Sequence, residues 1–230
     1  MSSGYSVILV HGAFHGAWCW EPIVPGLERL GAHCTAVELR RGGLAADVAE
    51  IQRAVDARYA AGDAVIAVGH SLGCFSIAGL SAGTLAHVVF LAGPVRGPGL
   101  PDMRTAVDTA FYDATEFHDG GTMSIDHEKA VALFYADMDE AQARDAASKL
   151  VDNTNYGPPE PTDPPLWDVV PSTYLWCDHD RTVKPAYQRE VAGRMRYAEG
   201  FDTSHSPMLS QPDTVVAALS RVLKRTPART

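Results

Sequence analysis

Short apolar runs alternate along this chain with longer segments of helical spacing. SVILV (6–10) precedes a helical pattern over 18–30, and HCTAVEL (33–39) reads as the next strand. A helix over 45–61, a strand AVIAV (64–68), a helix over 71–82 and a strand HVVFLAG (87–93) continue the series. Strands separated by helices predict an α/β fold with a mostly parallel sheet flanked by helices on both faces.

The rhythm breaks after Gly93. VRGPGLPD (95–102) is a Gly/Pro loop, and it opens a region where 107–112 and 128–150 read as helices and no strand is predicted before Ser172. The exit, YGPPEPTDPPLWDVVP (156–171), carries too many prolines for a helix or a central strand. The sheet resumes with STYLWC (172–177), then a helix over 185–196, a short segment at 197–201 and a last helix over 212–223. The expected organisation is a core of 1–94 and 172–225, a helical cap (95–171) inserted between its halves, and a loose tail at 226–230.

Composition narrows the function classes. With 230 residues, 46% of them hydrophobic, the chain can bury a full core as one domain. A formal charge of −9 and no basic cluster argue against a grip on nucleic acid or an anionic membrane. The charge is uneven, since residues 102–168 hold 15 acidic side chains against 4 basic ones. If those charges faced an entrance they would repel anionic substrates; otherwise they form a solvated helix face. Cys19, Cys34, Cys74 and Cys177 are scattered without a C-x-x-C pair and read as free thiols in a reducing compartment. MSSGYS runs into VILVHG without a charged leader or long apolar segment, so a soluble cytoplasmic protein is expected, with a homodimer left open.

The strand AVIAV turns through Gly69-His70-Ser71-Leu72-Gly73, which fits G-x-S-x-G. In that turn a serine takes a strained conformation between strand and helix, and its hydroxyl stands at the helix N-terminus. Ser71 is therefore the candidate nucleophile. An oxyanion needs two backbone N–H donors. Leu72 offers one by position, and Ala13, in the loop VHGAFHGAW after the first strand, is the candidate for the other. Serine also needs a histidine base oriented by a carboxylate, and in this fold the order is Ser, acid, His. His205, between the last short segment and the last helix, sits where the base belongs. The acid is expected in CDHDRTV after the strand at 172–177, where Asp180 is preferred and Asp178 is the alternative.

Taken together, VHGAFHGAW, GHSLG, CDHDRTV and SHSPMLSQP resemble the α/β-hydrolase superfamily, in its small methylesterase and hydroxynitrile-lyase branch. An H-G-x-x-H-G-x-W opening, distinctive of that branch, is present as His11, Gly12, His15, Gly16 and Trp18. The resemblance implies a Ser71, His205, Asp180 triad, Ala13 and Leu72 as oxyanion donors, and a helical cap. Hydroxynitrile lyases of the branch carry lysine directly after the catalytic histidine; Ser206 in that place argues against cyanohydrin cleavage.

The expected activity is hydrolysis of a small, fairly apolar carboxylic ester (a methyl ester, lactone or thioester) through an acyl-enzyme on Ser71. A small-molecule receptor with slow turnover, or a lyase or cofactor-free enzyme that uses the triad for proton transfer, is the alternative. Phe14, His15, Trp18, Phe111, Tyr112, Phe134, Tyr135 and Met208 are the candidate pocket liners. His11 and His15 follow a strand in a Gly-rich loop, not a helix, so they do not read as a metal pair. No cofactor is expected.

Overall fold

The computed structural model describes residues 4–39, 42–154 and 162–229. In chain order β1 (Tyr5–Val10), α1 (Val24–Arg29), β2 (Ala32–Val37), α2 (Leu44–Ala60), β3 (Ala64–His70), α3 (Gly73–Ala78) and β4 (His87–Leu91) build the first half. Next come α4 (Thr109–Ala114), β5 (Thr115–His118), β6 (Thr122–Ile125), α5 (His127–Phe134), α6 (Glu140–Ser148) and β7 (Asn153–Thr154). Then α7 (Leu166–Val169) leads to β8 (Ser172–Cys177), α8 (Pro185–Ala192), β9 (Tyr197–Phe201), α9 (Pro207–Ser210) and α10 (Pro212–Arg225).

The main sheet has the order β2-β1-β3-β4-β8-β9, with every neighbouring pair parallel. Alternate strand residues face opposite layers. Ile8 and Val10 share a core cluster with Ile51 and Val55 of α2, and the same layer extends to Val191 of α8. Val7 and Leu9 pack with Leu27 of α1 and with Val215 and Leu219 of α10. Burying each such Val or Leu stabilises the fold by about 1.5–3 kcal/mol. β3 is buried at all its positions, as a central parallel strand requires. Strand order reverses between β1 and β3, so a crevice opens at their carboxyl ends.

Several helices are shorter than their apolar spacing predicts, for local reasons. The pattern over 18–30 splits into a 3-10 turn (Ala17–Trp20) and α1, which takes Pro25 in its first turn. α3 stops at Ala78 before Gly79, and α8 stops at Ala192 before Gly193. No helix among the described residues is long and apolar enough to cross a membrane.

The cap is not purely helical. β5, β6 and β7 form a small antiparallel sheet, where no strand was expected. Its hairpin turns through Asp119-Gly120-Gly121, with both glycines at positive φ (92° and 80°), a conformation that favours glycine. The helix expected over 128–150 is two helices. The Asp139 carboxylate accepts from the amides of Ala141 (3.0 Å) and Gln142 (3.4 Å) and so starts α6 afresh. α4 begins at Thr109 because Asp108 caps it in the same way.

Of the tail expected to be loose, the described residues Thr226 and Arg229 have partners in distant elements. Tyr5 donates its hydroxyl to the Thr226 carbonyl (2.9 Å), and the Arg229 guanidinium lies 3.6 Å from the Tyr59 ring centroid. These partners come from distant elements, which the local composition of 226–230 does not report. Thr230 and the first part of the proline-rich exit, 156–161, lie outside the described residues.

At the start of β4, His87 is buried, and its Nε2 lies 2.8 Å from Thr173 Oγ1. Burial, reinforced by Arg225 and Arg196, lowers its pKa to about 4. In the unfolded chain it titrates near 6.5, so acid adds a proton to the unfolded state first and stability falls as the pH drops below that value. Urea unfolding at pH 7 and pH 5 should show a loss of about 1–2 kcal/mol from this group. His87→Gln should remove that part of the pH dependence.

Candidate active site

β3 and α3 are joined by a turn in which Ser71 has φ 51°. A left-handed conformation costs a non-glycine residue about 1–2 kcal/mol, so the surroundings must enforce it. The Ser71 amide donates to the Leu91 carbonyl (2.9 Å), and the Ser71 carbonyl accepts from Cys74 (3.0 Å). α3 also lies so close to the end of β1 that a Cβ on Gly73 would stand 2.6 Å from the His11 carbonyl oxygen. A Cβ on Gly12 would stand 2.8 Å from Cβ of Ser71. Only backbone fits between the first loop and the serine.

His205 reaches the serine from the loop after β9. Its Nε2 accepts from Ser71 Oγ (3.0 Å), and its Nδ1–H donates to Asp180 Oδ2 (2.7 Å). Asp180 is itself fixed. Its Oδ1 accepts from the amides of Thr182 (2.7 Å) and Val183 (2.9 Å), and its Oδ2 accepts from Gln188 Nε2 (2.7 Å). Asp178 instead accepts from Trp176 Nε1 (3.0 Å) and Arg189 (2.5 Å). His179 pairs with Asp202 at the surface. Gln188 carries no sequence signal for this place: its Oε1 also takes the Cys177 amide (3.1 Å), tying α8 to the end of β8.

Three more histidines surround this chain of hydrogen bonds. His70 is fully buried, and its Nε2–H donates to the His205 carbonyl (2.9 Å). Burial first, then the neighbouring His205 and His15, holds its pKa well below the usual histidine value, so it is neutral. His15 donates from Nδ1 to the Ala13 carbonyl (2.9 Å) and accepts at Nε2 from the Tyr135 hydroxyl (2.8 Å). His11 donates from Nδ1 to Gly12 (2.8 Å) and accepts at Nε2 from the Leu39 amide (3.2 Å). Among the described residues no group of three or more His, Cys, Asp or Glu side chains could hold a metal ion.

Ser71 and His205 open onto a cavity of about 310 Å³, with Ala13 and Leu72 beside them. Of the sequence-predicted liners, His15, Phe111, Tyr112 and Phe134 border it. The other four lie elsewhere. Phe14, at φ 63°, turns into the cap core behind Phe111 and Phe134 (centroids 6.2 and 6.5 Å). Trp18 stacks on the far side of His15, Tyr135 is spent on its hydrogen bond to His15, and Met208 is buried in the layer with α10. Met103, Val107, Phe117, Met123 and Val183 also line the cavity, with Phe75 and Pro94. The Asp-Gly-Gly hairpin signal would have paired Phe117 with Met123, the register observed. Arg104 is the one charged cap side chain in the wall, so the acidic cap residues described face elsewhere.

The cap touches each loop that brings a group to Ser71. Val151 donates to the Phe14 carbonyl (2.9 Å) in the first loop. The backbone amide of Asp108 donates to the Thr182 carbonyl (2.9 Å), and the amide of Lys184 to that of Ala106 (2.8 Å), beside Asp180.

Residues 7–218 match the family model described as "Alpha/beta hydrolase family". Methyl jasmonate esterase 1 of Vitis vinifera is 25% identical over 252 residues, covering 94% of this chain and 96% of that protein. Methylesterase 3 of Arabidopsis thaliana is 37% identical over 83 residues, which are 31% of this chain and 32% of that protein. Tomato methylketone synthase I, solved with 2-tridecanone, has the same fold, with a TM-score of 0.81 at 17% identity over 97% of this chain and 99% of that one. The chain therefore belongs to the α/β hydrolase family, and its relatives lie in the small methylesterase-like branch.

Proposed function

We propose that the protein is a serine hydrolase that cleaves a small, fairly apolar carboxylic ester. The observation that carries this reading is the continuous hydrogen-bonded chain from Ser71 through His205 to Asp180, opening on an apolar cavity. Its methylesterase relatives support the same chemistry.

In the proposed reaction Ser71 Oγ attacks the ester carbonyl while His205 Nε2 takes its proton. Asp180, held by two amides and Gln188, keeps the imidazole in the tautomer that presents Nε2 to the serine. Negative charge on the former carbonyl oxygen is received by the amides of Ala13 and Leu72. The tetrahedral species collapses as His205 returns the proton to the departing alkoxide, and the alcohol leaves. Water, deprotonated by His205, then attacks the acyl-enzyme; the second collapse frees the acid and restores the Ser71 hydroxyl.

The cavity favours a neutral substrate of modest size. Its volume is at the low end of the roughly 300–1,000 Å³ usual for small-molecule sites. Apart from Arg104, His15, Thr182 and the reacting groups, its wall is made of aromatic, Met and aliphatic side chains. Whether the ester is a methyl ester, a lactone or a thioester is decided by turnover of a panel containing all three.

With p-nitrophenyl butyrate, Ser71→Ala should lower kcat by on the order of 10⁴-fold or more, and labelling by a fluorophosphonate should vanish with it. Wild type that neither turns over an ester nor labels would overturn the proposal. Gly12→Ala, whose new methyl collides with Ser71 Cβ, should displace the Ala13 amide and lower kcat on the order of 10²-fold. Retention of wild-type kcat in Gly12→Ala would remove Ala13 from the oxyanion site.

A further inference from the structure

The His205 loop is held from two sides. From the core, His70 Nε2–H donates to the His205 carbonyl (2.9 Å). From the cap, Asp137, in the turn between α5 and α6, grips the preceding residue. One of its carboxylate oxygens accepts from the Ser204 amide (3.0 Å) and from Ser210 Oγ (2.9 Å), and the other accepts from Ser204 Oγ. The α5 C-terminus joins in, since the Phe134 carbonyl also lies within reach of Ser204 Oγ (3.3 Å). Ser204 and His205 are both almost fully buried, whereas Asp137 is exposed.

We infer that Asp137 is a positioning residue that fixes the base, acting from the cap through Ser204 on His205. This rests on the proposed esterase reading for its kinetic effect, though not for its geometry. A carboxylate that accepts an amide and two hydroxyls makes charge-assisted bonds, stronger than neutral ones and directional. The bond to the amide constrains the peptide immediately before His205, and the bond from His70 constrains the carbonyl of His205 itself. Backbone rotation that would swing Nε2 away from Ser71 must break one or the other. The carboxylate is exposed, but the Ser204 amide and hydroxyl it holds are buried, so its removal takes an acceptor from both. What these bonds supply is the position of a side chain on a loop, and reacting groups lose activity steeply when misplaced.

Asp137 also belongs to the same stretch as Tyr135, whose hydroxyl holds His15 and through it the Ala13 carbonyl. Two positions of the α5–α6 turn, 135 and 137, therefore reach the loop of the first oxyanion candidate and the loop of the base. The cap is in this sense part of the apparatus that sets His205 and Ala13 around Ser71.

The test uses the full chain with Asp137→Ala, Asp137→Asn and, as control, Asp145→Ala, which removes an exposed ion pair with Lys149 on α6. For p-nitrophenyl butyrate, Asp137→Ala should lower kcat about 10-fold with KM within about twofold, since the cavity wall is untouched. Asp137→Asn, which keeps one acceptor oxygen, should fall between Asp137→Ala and wild type, and Asp145→Ala should match wild type. In proton NMR of chain labelled with ¹⁵N-histidine, the Nδ1 proton shared by His205 and Asp180 should exchange with solvent faster in Asp137→Ala and unchanged in Asp145→Ala. An unchanged kcat and exchange rate in Asp137→Ala, or equal losses in Asp145→Ala, would overturn the inference. If wild type turns over no ester, the esterase reading fails while the exchange rates still decide whether Asp137 holds His205.

Discussion

The left-handed turn at Ser71 is the constraint on which the rest of the site depends. It lifts one hydroxyl out of the crevice between β1 and β3, and it holds only because three backbone segments meet beneath it. The exit of β1 approaches at Gly12, α3 begins at Gly73 against the His11 carbonyl, and the end of β4 passes under Cys74 at Gly93, where a Cβ would lie 2.2 Å from the thiol sulfur. No side chain larger than hydrogen fits at these crossings. Once the serine is placed, the histidine and the carboxylate must come to it, and β8 and β9 deliver them on the loops at their carboxyl ends.

Those loops are not left to themselves. Asp180 spends both oxygens on named donors, and Gln188 links it to α8 and to the strand it leaves. Fixed dipoles around a reacting group are an efficient form of electrostatic stabilisation, because they need no reorganisation as charge develops. The buried histidines serve the same end. A neutral His70 can offer its Nε2–H to the His205 carbonyl without placing a positive charge beside that residue's imidazole.

The parallel core and the groups around Ser71 were legible in the sequence because their signals are local. A glycine-flanked serine between a buried strand and a helix, a histidine after the last strand and aspartates after the strand before it each declare themselves within a few residues. The sequence preferred Asp180 with Asp178 as the alternative, and in the fold it is the Asp180 carboxylate that meets His205 while Asp178 accepts from Trp176. The cap was read least well. Its strands are four residues or fewer and partly exposed, so they lack the apolar run of β3. Its long helical pattern hid a capping aspartate at 139, and Phe14 was misplaced because adjacency to Ala13 says nothing of a backbone at positive φ. Gln188 was invisible, since a glutamine's role is set by what lies across the fold.

The cavity has walls of two mechanical kinds. Its rear, formed by His15, Phe134 and Val183, is braced by the same hydrogen bonds that hold the loops around Ser71. Its front, formed by Tyr112 of α4 and Phe117 of β5, is about half exposed and lies outside that bracing. Exchange of front-wall side chains changes little buried area, so the shape of the chamber can be recut without loosening the frame behind it. Front and rear thus differ in what holds them: the front belongs to exposed cap elements, the rear to the loops gathered around Ser71.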